Sequence, residues 1–131
     1  TVTLTVTDEK GATGTATRSV TVSLPSVLAN DTFTRTVTNA WGTSDLGGAW
    51  TITGGAANFK VGAGIGTMRL AGPSSGPTAV LSSVSSTTSD ITVTETLDKA
   101  PTGGGVYLYV TGRKVAGAGE YRGKVRLTSA V

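Results

Sequence analysis

The sequence predicts an all-β protein, an antiparallel β-sandwich made of short strands. Threonine and glycine supply 25 and 19 of the 131 residues; β-branched side chains pack well on a pleated sheet, and glycine permits tight turns. Apolar and polar residues alternate in several segments, which is the two-residue period of a strand with one buried face. No segment of useful length has a helical period.

The first predicted element is a β-hairpin. Residues 1–7 alternate between threonine and apolar side chains, DEKGATG has the composition of a turn, and the alternation resumes over 16–24. Two strands alone are marginally stable in water, so the hairpin is expected to need further strands. Pro25 lacks a backbone N–H and is expected to end the second strand, which leaves a linker over 25–30.

A second unit is predicted over residues 31–131. Its spacing of short alternating segments and glycine-rich turns is typical of a β-sandwich. The side chains expected to supply most of its large apolar surface are Phe33, Trp41, Trp50, Ile52, Phe59 and Val61. The later strands are predicted at 67–71, 78–84, 90–97, 106–111 and 120–128.

Both units resemble known families. TVTLTVTDEKGATGTATRSVTV resembles the last two strands of a polycystic kidney disease (PKD) domain, an immunoglobulin-like spacer or adhesion module of exported bacterial proteins. DTFTRTVTNAWGTSDLGGAWTITGG, GPTAVLSSV, LDKAPTGGGVYLYVTGR and YRGKVRL resemble the opening of concanavalin-like, laminin-G-like jelly-roll modules of actinobacterial surface proteins. The resemblance implies a PKD-like hairpin at 1–24, a linker, and a partial jelly roll at 31–131. It also implies an incomplete fragment whose missing strands come from the parent chain or from a second copy.

Composition excludes several kinds of site within the chain. There is no cysteine and no histidine, so disulfides, thiolate metal sites, Ser-His-Asp catalysis and HExxH zinc chemistry cannot arise here. No apolar run approaches the ~20 residues that a membrane-spanning helix needs. A structural calcium ion would require folding to bring Asp31, Asp45 and Asp90 together, because no DxDxDG run exists. We therefore assign no metal ligands and no cofactor.

The net charge of +3 is concentrated late in the chain. Residues 98–126 carry six cations against two anions, a local net charge of +4. If the apolar side chains of the last two strands share one face, the numbers of residues that lie opposite each other must have an odd sum, for example Leu108 opposite Val125. That register predicts three pairs on the other face: Tyr107 with Arg126, Tyr109 with Lys124, and Arg113 with Glu120.

This stripe of tyrosines and cations is the main candidate ligand surface. Such a surface can stack sugar rings, attract anionic glycans or wall polymers, or follow a nucleic-acid backbone. The alternative is a solvated face on which lysine and arginine stems cover the tyrosine rings. Trp41, in the turn-like NAWGTSD, is a candidate sugar platform with core packing as its alternative, whereas Trp50 alternates with Ile52 and is expected in the core. The candidate ligand-binding residues are Trp41, Tyr107, Tyr109, Arg113, Lys124 and Arg126.

No catalytic residues are assigned. Glycoside hydrolysis usually needs two carboxyl groups across a cleft. Glu95 is the most suggestive carboxylate, because ITVTETL places it among apolar side chains on one face, but nothing in the sequence pairs it with Glu120 or Asp98. GAGIG lacks the Lys-Ser/Thr ending of a phosphate-binding loop and is predicted to be a hairpin turn.

Three functions remain open. The leading hypothesis is a non-catalytic carbohydrate-binding or adhesive module of a larger secreted or cell-surface bacterial protein. Its partner would be a polysaccharide or cell-wall polymer, and nucleic acid is not expected. The second is a structural spacer or fibre-forming subunit that self-associates by strand sharing. The third is an accessory fragment of a glycan-active enzyme. The first hypothesis depends largely on analogy of fold.

Overall fold

Short antiparallel strands make up nearly all the regular structure of this chain, which confirms the all-β prediction. The computed structural model describes residues 1–21 and 26–129. Over these residues there is no α-helix, and no helix is long and apolar enough to cross a membrane. The strands are β1 (Val2–Thr7), β2 (Thr13–Arg18), β3 (Val37–Thr38), β4 (Thr51–Thr53), β5 (Phe59–Gly62), β6 (Ile65–Met68), β7 (Thr78–Val80), β8 (Val106–Val115) and β9 (Gly119–Leu127). They form four small sheets: β1-β2, β3-β5-β6, β4-β7 and β8-β9.

The predicted N-terminal hairpin is present as β1 and β2. Its turn is held by Asp8, whose Oδ1 accepts hydrogen bonds from the backbone N–H groups of Lys10 (2.9 Å) and Ala12 (2.8 Å). Leu4 lies opposite Ala16 in the ladder, yet every residue of both strands is exposed. The second strand begins earlier than predicted, at Thr13, because this turn is short. Residues 22–25, including the end of the predicted strand and the predicted boundary at Pro25, lie outside the described residues.

The core lies on the three-stranded sheet. The side chains of Phe59 and Val61 on β5 are 1% and 3% exposed, which confirms their predicted core position. GAGIG is a hairpin turn, as predicted: β5 and β6 pair with Gly62 opposite Ile65. Within that turn Gly64 has a φ of 75°, a left-handed conformation that glycine adopts without steric cost.

Several of the other predicted strands differ from the structure: the one predicted at 67–71 is β6, at Ile65–Met68, and the one predicted at 106–111 extends to Val115. Residues 90–97 form no ladder with any described strand, and Ile91 and Val93 are 45% and 53% exposed. A segment with alternating apolar and polar residues forms a strand only where the backbone of a neighbouring strand hydrogen-bonds to it, and no described strand pairs with residues 90–97. The strand predicted at 78–84 ends at Val80, because a turn follows in which the Val84 N–H donates to the Leu81 carbonyl oxygen (3.1 Å).

Candidate functional site

The candidate site lies on the longest hairpin, β8–β9. Its register is the predicted one over the first half of β8. Tyr107 lies opposite Arg126 and Tyr109 lies opposite Lys124. Because paired residues project from the same side of a sheet, these four side chains share one face. The other face carries the apolar side chains of Val106, Leu108, Val110, Val125 and Leu127.

Two stacked tyrosine rings form the centre of the site. The ring centroids of Tyr107 and Tyr109 are 6.4 Å apart with an interplanar angle of 26°. The two side chains are 43% and 42% exposed, whereas Leu108 between them is half-buried on the opposite side. The two tyrosine rings are therefore open to solvent, whereas Val106, Leu108, Val110 and Leu127 on the other face are half-buried and Val125 is exposed.

Three cations of β9 lie over these rings. Lys124 Nζ is 4.1 Å from the centroid of the Tyr107 ring and 5.6 Å from that of Tyr109. Arg122 Cζ is 4.5 Å from the Tyr109 centroid, and Arg126 Cζ is 5.6 Å from the Tyr107 centroid. These separations allow cation–π attraction, which is strongest over the ring face. We call Tyr107, Tyr109, Arg122, Lys124 and Arg126 the tyrosine–cation face.

Further contacts orient the outer two cations. Arg126 donates its Nε–H to the carbonyl oxygen of Gly104, 2.9 Å away in the turn before β8. Arg122 forms an ion pair with Glu120 at 3.3 Å and keeps a half-exposed side chain. In the part of the chain that the structure describes, no carboxylate lies within 4.0 Å of Lys124 or Arg126. Protein contacts therefore orient Arg122 and Arg126, and among the described residues no carboxylate balances the positive charges of Lys124 and Arg126.

The predicted placement of Arg113 is wrong. The ladder shifts by one residue between Thr111 and Arg113, so Arg113 lies opposite Tyr121 and not opposite Glu120. Such an irregularity adds a residue to one strand, and the alternation of faces changes beyond it. Arg113 consequently projects from the side opposite the tyrosine–cation face. Its assignment as a ligand-binding residue stays a prediction, separate from this surface.

The candidate site predicted from the sequence omitted two cations on this side of the hairpin, Arg122 of the tyrosine–cation face and Lys114 beyond it. Arg122 precedes Lys124 by two residues on β9, so the alternation Arg-Gly-Lys-Val-Arg already placed it on the same face. Lys114 lies opposite Glu120, the position expected for Arg113. Only the register shift determines the position of Lys114, and the alternation of the sequence does not indicate that shift.

Trp41, the other candidate, lies in a cluster of aromatic rings. Its ring centroid is 5.3 Å from that of Phe33, 5.1 Å from that of Trp50 and 6.0 Å from that of Phe59, all in edge-to-face arrangements. The indole N–H donates to the carbonyl oxygen of Thr67 at 2.9 Å. This geometry supports the core-packing alternative for Trp41, and its role as a sugar platform stays a prediction.

An ion pair between Asp31 and Arg35 connects the residues of this aromatic cluster. Asp31 is 4% exposed at its side chain and accepts a bidentate pair of hydrogen bonds from Arg35, at 2.7 and 2.8 Å. It also accepts from the indole N–H of Trp50 at 2.6 Å and from the backbone N–H of Phe33 at 3.0 Å. Arg35 in turn donates to the Trp41 carbonyl oxygen. The Asp31 carboxylate therefore connects three aromatic residues.

These contacts lower the pKa of Asp31. Burial disfavours the charged carboxylate and raises the pKa, but the hydrogen bonds from Arg35, Trp50 and Phe33, with the positive charge of Arg35, outweigh burial. Hydrogen bonds from the Thr32 side chain and backbone lower the pKa of Asp45 as well. Both groups are thus ionised more readily in the folded protein than in an unfolded chain.

The remaining acidic residues do not gather into a site. Glu95, expected to be buried or to line a concavity, is exposed, because its segment is not part of a sheet. Over 1–21 and 26–129 no group of three acidic residues is close enough together to hold a metal ion. The oxygens of Asp31 already accept four hydrogen bonds.

No family model, curated protein or solved structure matches this chain. The resemblances to PKD and laminin-G-like modules therefore stay predictions.

Proposed function

We propose that this chain is a non-catalytic module that binds an extended glycan, as part of a larger secreted or cell-surface bacterial protein. The observation that carries the proposal is the exposed, stacked pair Tyr107 and Tyr109, flanked by cations on a sheet face. An exposed sheet face is long and shallow, which suits a polymer that extends past the protein in both directions. Aromatic rings supply apolar contact, and nearby polar groups supply hydrogen bonds to hydroxyl or acidic groups.

A binding role fits the single acidic residue of this hairpin better than a catalytic one. Glycoside hydrolysis usually needs two carboxyl groups across a cleft, and strands β8 and β9 carry one acidic residue, Glu120. Glu120, the acidic residue of β9, is ion-paired with Arg122. We therefore propose that Glu120 orients Arg122.

The test is a pair of variants measured against immobilised polysaccharides. Tyr107→Ala combined with Tyr109→Ala should weaken binding about tenfold or more, because each aromatic contact contributes roughly 0.5–1.5 kcal/mol. Tyr121→Ala is the matched control, since Tyr121 is 77% exposed on the opposite side of the same hairpin. Circular dichroism would show whether each variant keeps its strands. Equal binding by the double variant and the wild type would contradict the proposal.

A second candidate function is a subunit that assembles by strand sharing. Two observations favour it: the exposed apolar side chains of β1, and the two-stranded β8–β9 sheet, in which each strand has one edge unpaired by any described residue. Sedimentation equilibrium should then give a mass that rises from 13.1 kDa with concentration. A constant monomer mass would contradict this alternative.

A further inference from the structure

The cations of the tyrosine–cation face lie close to the rings on which a neutral sugar would stack. A neutral pyranose stacks its C–H groups on a bare aromatic face. Here each ring has two cations near it: Lys124 and Arg126 at Tyr107, and Arg122 and Lys124 at Tyr109. A neutral sugar stacked on these rings would compete with the cations for the ring faces, whereas an anionic group can bind the cations where they lie.

The charge of this face is largely uncompensated. Glu120 pairs with Arg122, and elsewhere in the described residues no carboxylate approaches Lys124 or Arg126. The Nε–H of Arg126 is held by the Gly104 carbonyl oxygen, so the guanidinium is fixed at one end of the face while its outer N–H groups remain available for a ligand. A guanidinium fixed in this way loses less conformational freedom on binding an anion.

The cations are arranged as a row. Arg122, Lys124 and Arg126 occupy alternate positions of β9, so their backbone positions are roughly 7 Å apart and the row extends about 13 Å. A single small anion would contact only one or two of them. A chain that carries acidic groups at intervals can contact all three.

We infer that the ligand of this face is an acidic polysaccharide, bearing carboxylate or sulfate groups, bound by Arg122, Lys124 and Arg126. This inference rests on the proposed function and adds the chemical class of the glycan. Single-stranded nucleic acid is the other polyanion to consider. Proteins bind it by stacking bases on exposed aromatic faces, and here Lys124 Nζ and Arg122 Cζ lie 4.1 and 4.5 Å from the ring centroids of Tyr107 and Tyr109, where a base would stack.

The test compares two polymers with the same backbone. Dextran sulfate should bind the 131-residue chain and dextran should not, with polygalacturonate as the carboxylate counterpart and poly(dT) as the nucleic-acid probe. Raising NaCl from about 50 mM to about 500 mM should weaken dextran sulfate binding at least about tenfold, because exposed charges are screened over a shorter distance.

A charge-matched pair of variants locates the binding. Lys124→Gln with Arg126→Gln should lose about tenfold in affinity, since each exposed ion contact contributes a factor of roughly two to five. Lys10→Gln with Lys99→Gln removes the same charge from exposed positions outside the face and should lose less than twofold. Equal losses of affinity in the two double variants would overturn the assignment, because the net charge of the chain would then explain the binding.

The remaining outcomes separate this inference from the proposed function. Binding of dextran as tight as that of dextran sulfate, unaffected by salt, would overturn the acidic ligand and leave the glycan-binding proposal standing. Tighter binding of poly(dT) than of either acidic polysaccharide would overturn it in favour of nucleic acid. Binding of no polysaccharide at all would overturn both.

Discussion

At the scale of single residues, Asp31 organises the aromatic cluster. Its carboxylate accepts hydrogen bonds from Arg35 and Trp50, and Arg35 donates onward to the backbone of Trp41. Buried charges are tolerated when they are paired and hydrogen-bonded, and removing one partner leaves the other with an uncompensated charge. The stability of the aromatic cluster therefore depends on a polar residue outside the hydrophobic pattern.

Replacing Asp31 by Asn should lower the free energy of unfolding by about 2 kcal/mol, because Arg35 then keeps its charge in a half-buried position without its ion-paired carboxylate. Urea unfolding followed by circular dichroism measures this change. Asp98→Asn is the control, since Asp98 is exposed, and it should change the free energy by less than about 0.5 kcal/mol. Equal effects of the two substitutions would contradict the role of Asp31.

The lowered pKa of Asp31 also predicts a dependence on pH. Its pKa is lower in the folded chain than in the unfolded one, so the unfolded state binds protons first as the pH falls. The stabilisation should be complete above the ordinary aspartate pKa of about 3.9 and should decrease as the pH falls below it. Urea midpoints measured from about pH 6 to about pH 2.5 should therefore fall on the acid side. Asp31→Asn should reduce that slope, and an unchanged slope would contradict the assignment.

At the scale of elements, β6 packs closely against the aromatic cluster because Gly66 has no side chain. A methyl group at Gly66 would lie 2.7 Å from Cε1 of Phe33, which is closer than two carbon atoms can approach. Phe33 cannot move freely, because its ring packs against both Trp41 and Trp50. Gly62 is also a strand glycine of the same sheet, yet a methyl group there would meet nothing within 4 Å.

Gly66→Ala should therefore lower the free energy of unfolding by about 1–3 kcal/mol, as overpacking in a core does. Gly62→Ala should leave it unchanged or raise it by about 0.5 kcal/mol, because alanine restricts the unfolded chain more than glycine. Thermal unfolding of the two variants measures the difference. Two equally stable variants would show that the space under Phe33 is not restricted.

The elements also show what sequence can predict here. Alternation in β8 and β9 allowed the observed pairing of Tyr107 with Arg126 and excluded every register with an even residue sum, because only an odd sum places the apolar side chains of both strands on one face. The predicted register was wrong beyond Thr111, because the alternation of the sequence does not indicate the one-residue shift of the ladder there. Alternation also failed for residues 90–97, because a strand requires a partner that local sequence does not specify. Trp41 shows the same limit: its contacts with Phe59 and Thr67 come from residues distant in sequence.

At the scale of the whole molecule, stability should be distributed unevenly. The N-terminal hairpin has no buried residue, whereas β5 contains the two most buried apolar side chains. Local opening requires little free energy where few apolar contacts are lost. The chain should therefore contain one firmly folded region around β5 and a hairpin whose protection depends mainly on its own hydrogen bonds.

Amide hydrogen exchange should reveal this difference. The ladder amides of β1 and β2 should exchange about two orders of magnitude faster than those of β5 and β6. Mass spectrometry of peptic fragments resolves the two regions. The control is the same measurement at a lower protein concentration, because amide exchange in a monomer does not depend on concentration. Slow exchange in β1 and β2 at high concentration alone would mean that another copy covers the hairpin, and would favour the strand-sharing alternative.

The tryptophans and the tyrosines of this chain lie in different parts of the structure, so spectroscopy can follow the two parts separately. Both of its tryptophans lie in the cluster around Asp31, with ring centroids 5.1 Å apart, and all three of its tyrosines lie on β8 and β9. Tryptophan emission therefore reports on the core, whereas tyrosine absorption reports on the hairpin that carries the candidate site. Ligand binding should change the tyrosine signal while the tryptophan signal stays constant, so one unlabelled sample distinguishes binding from unfolding.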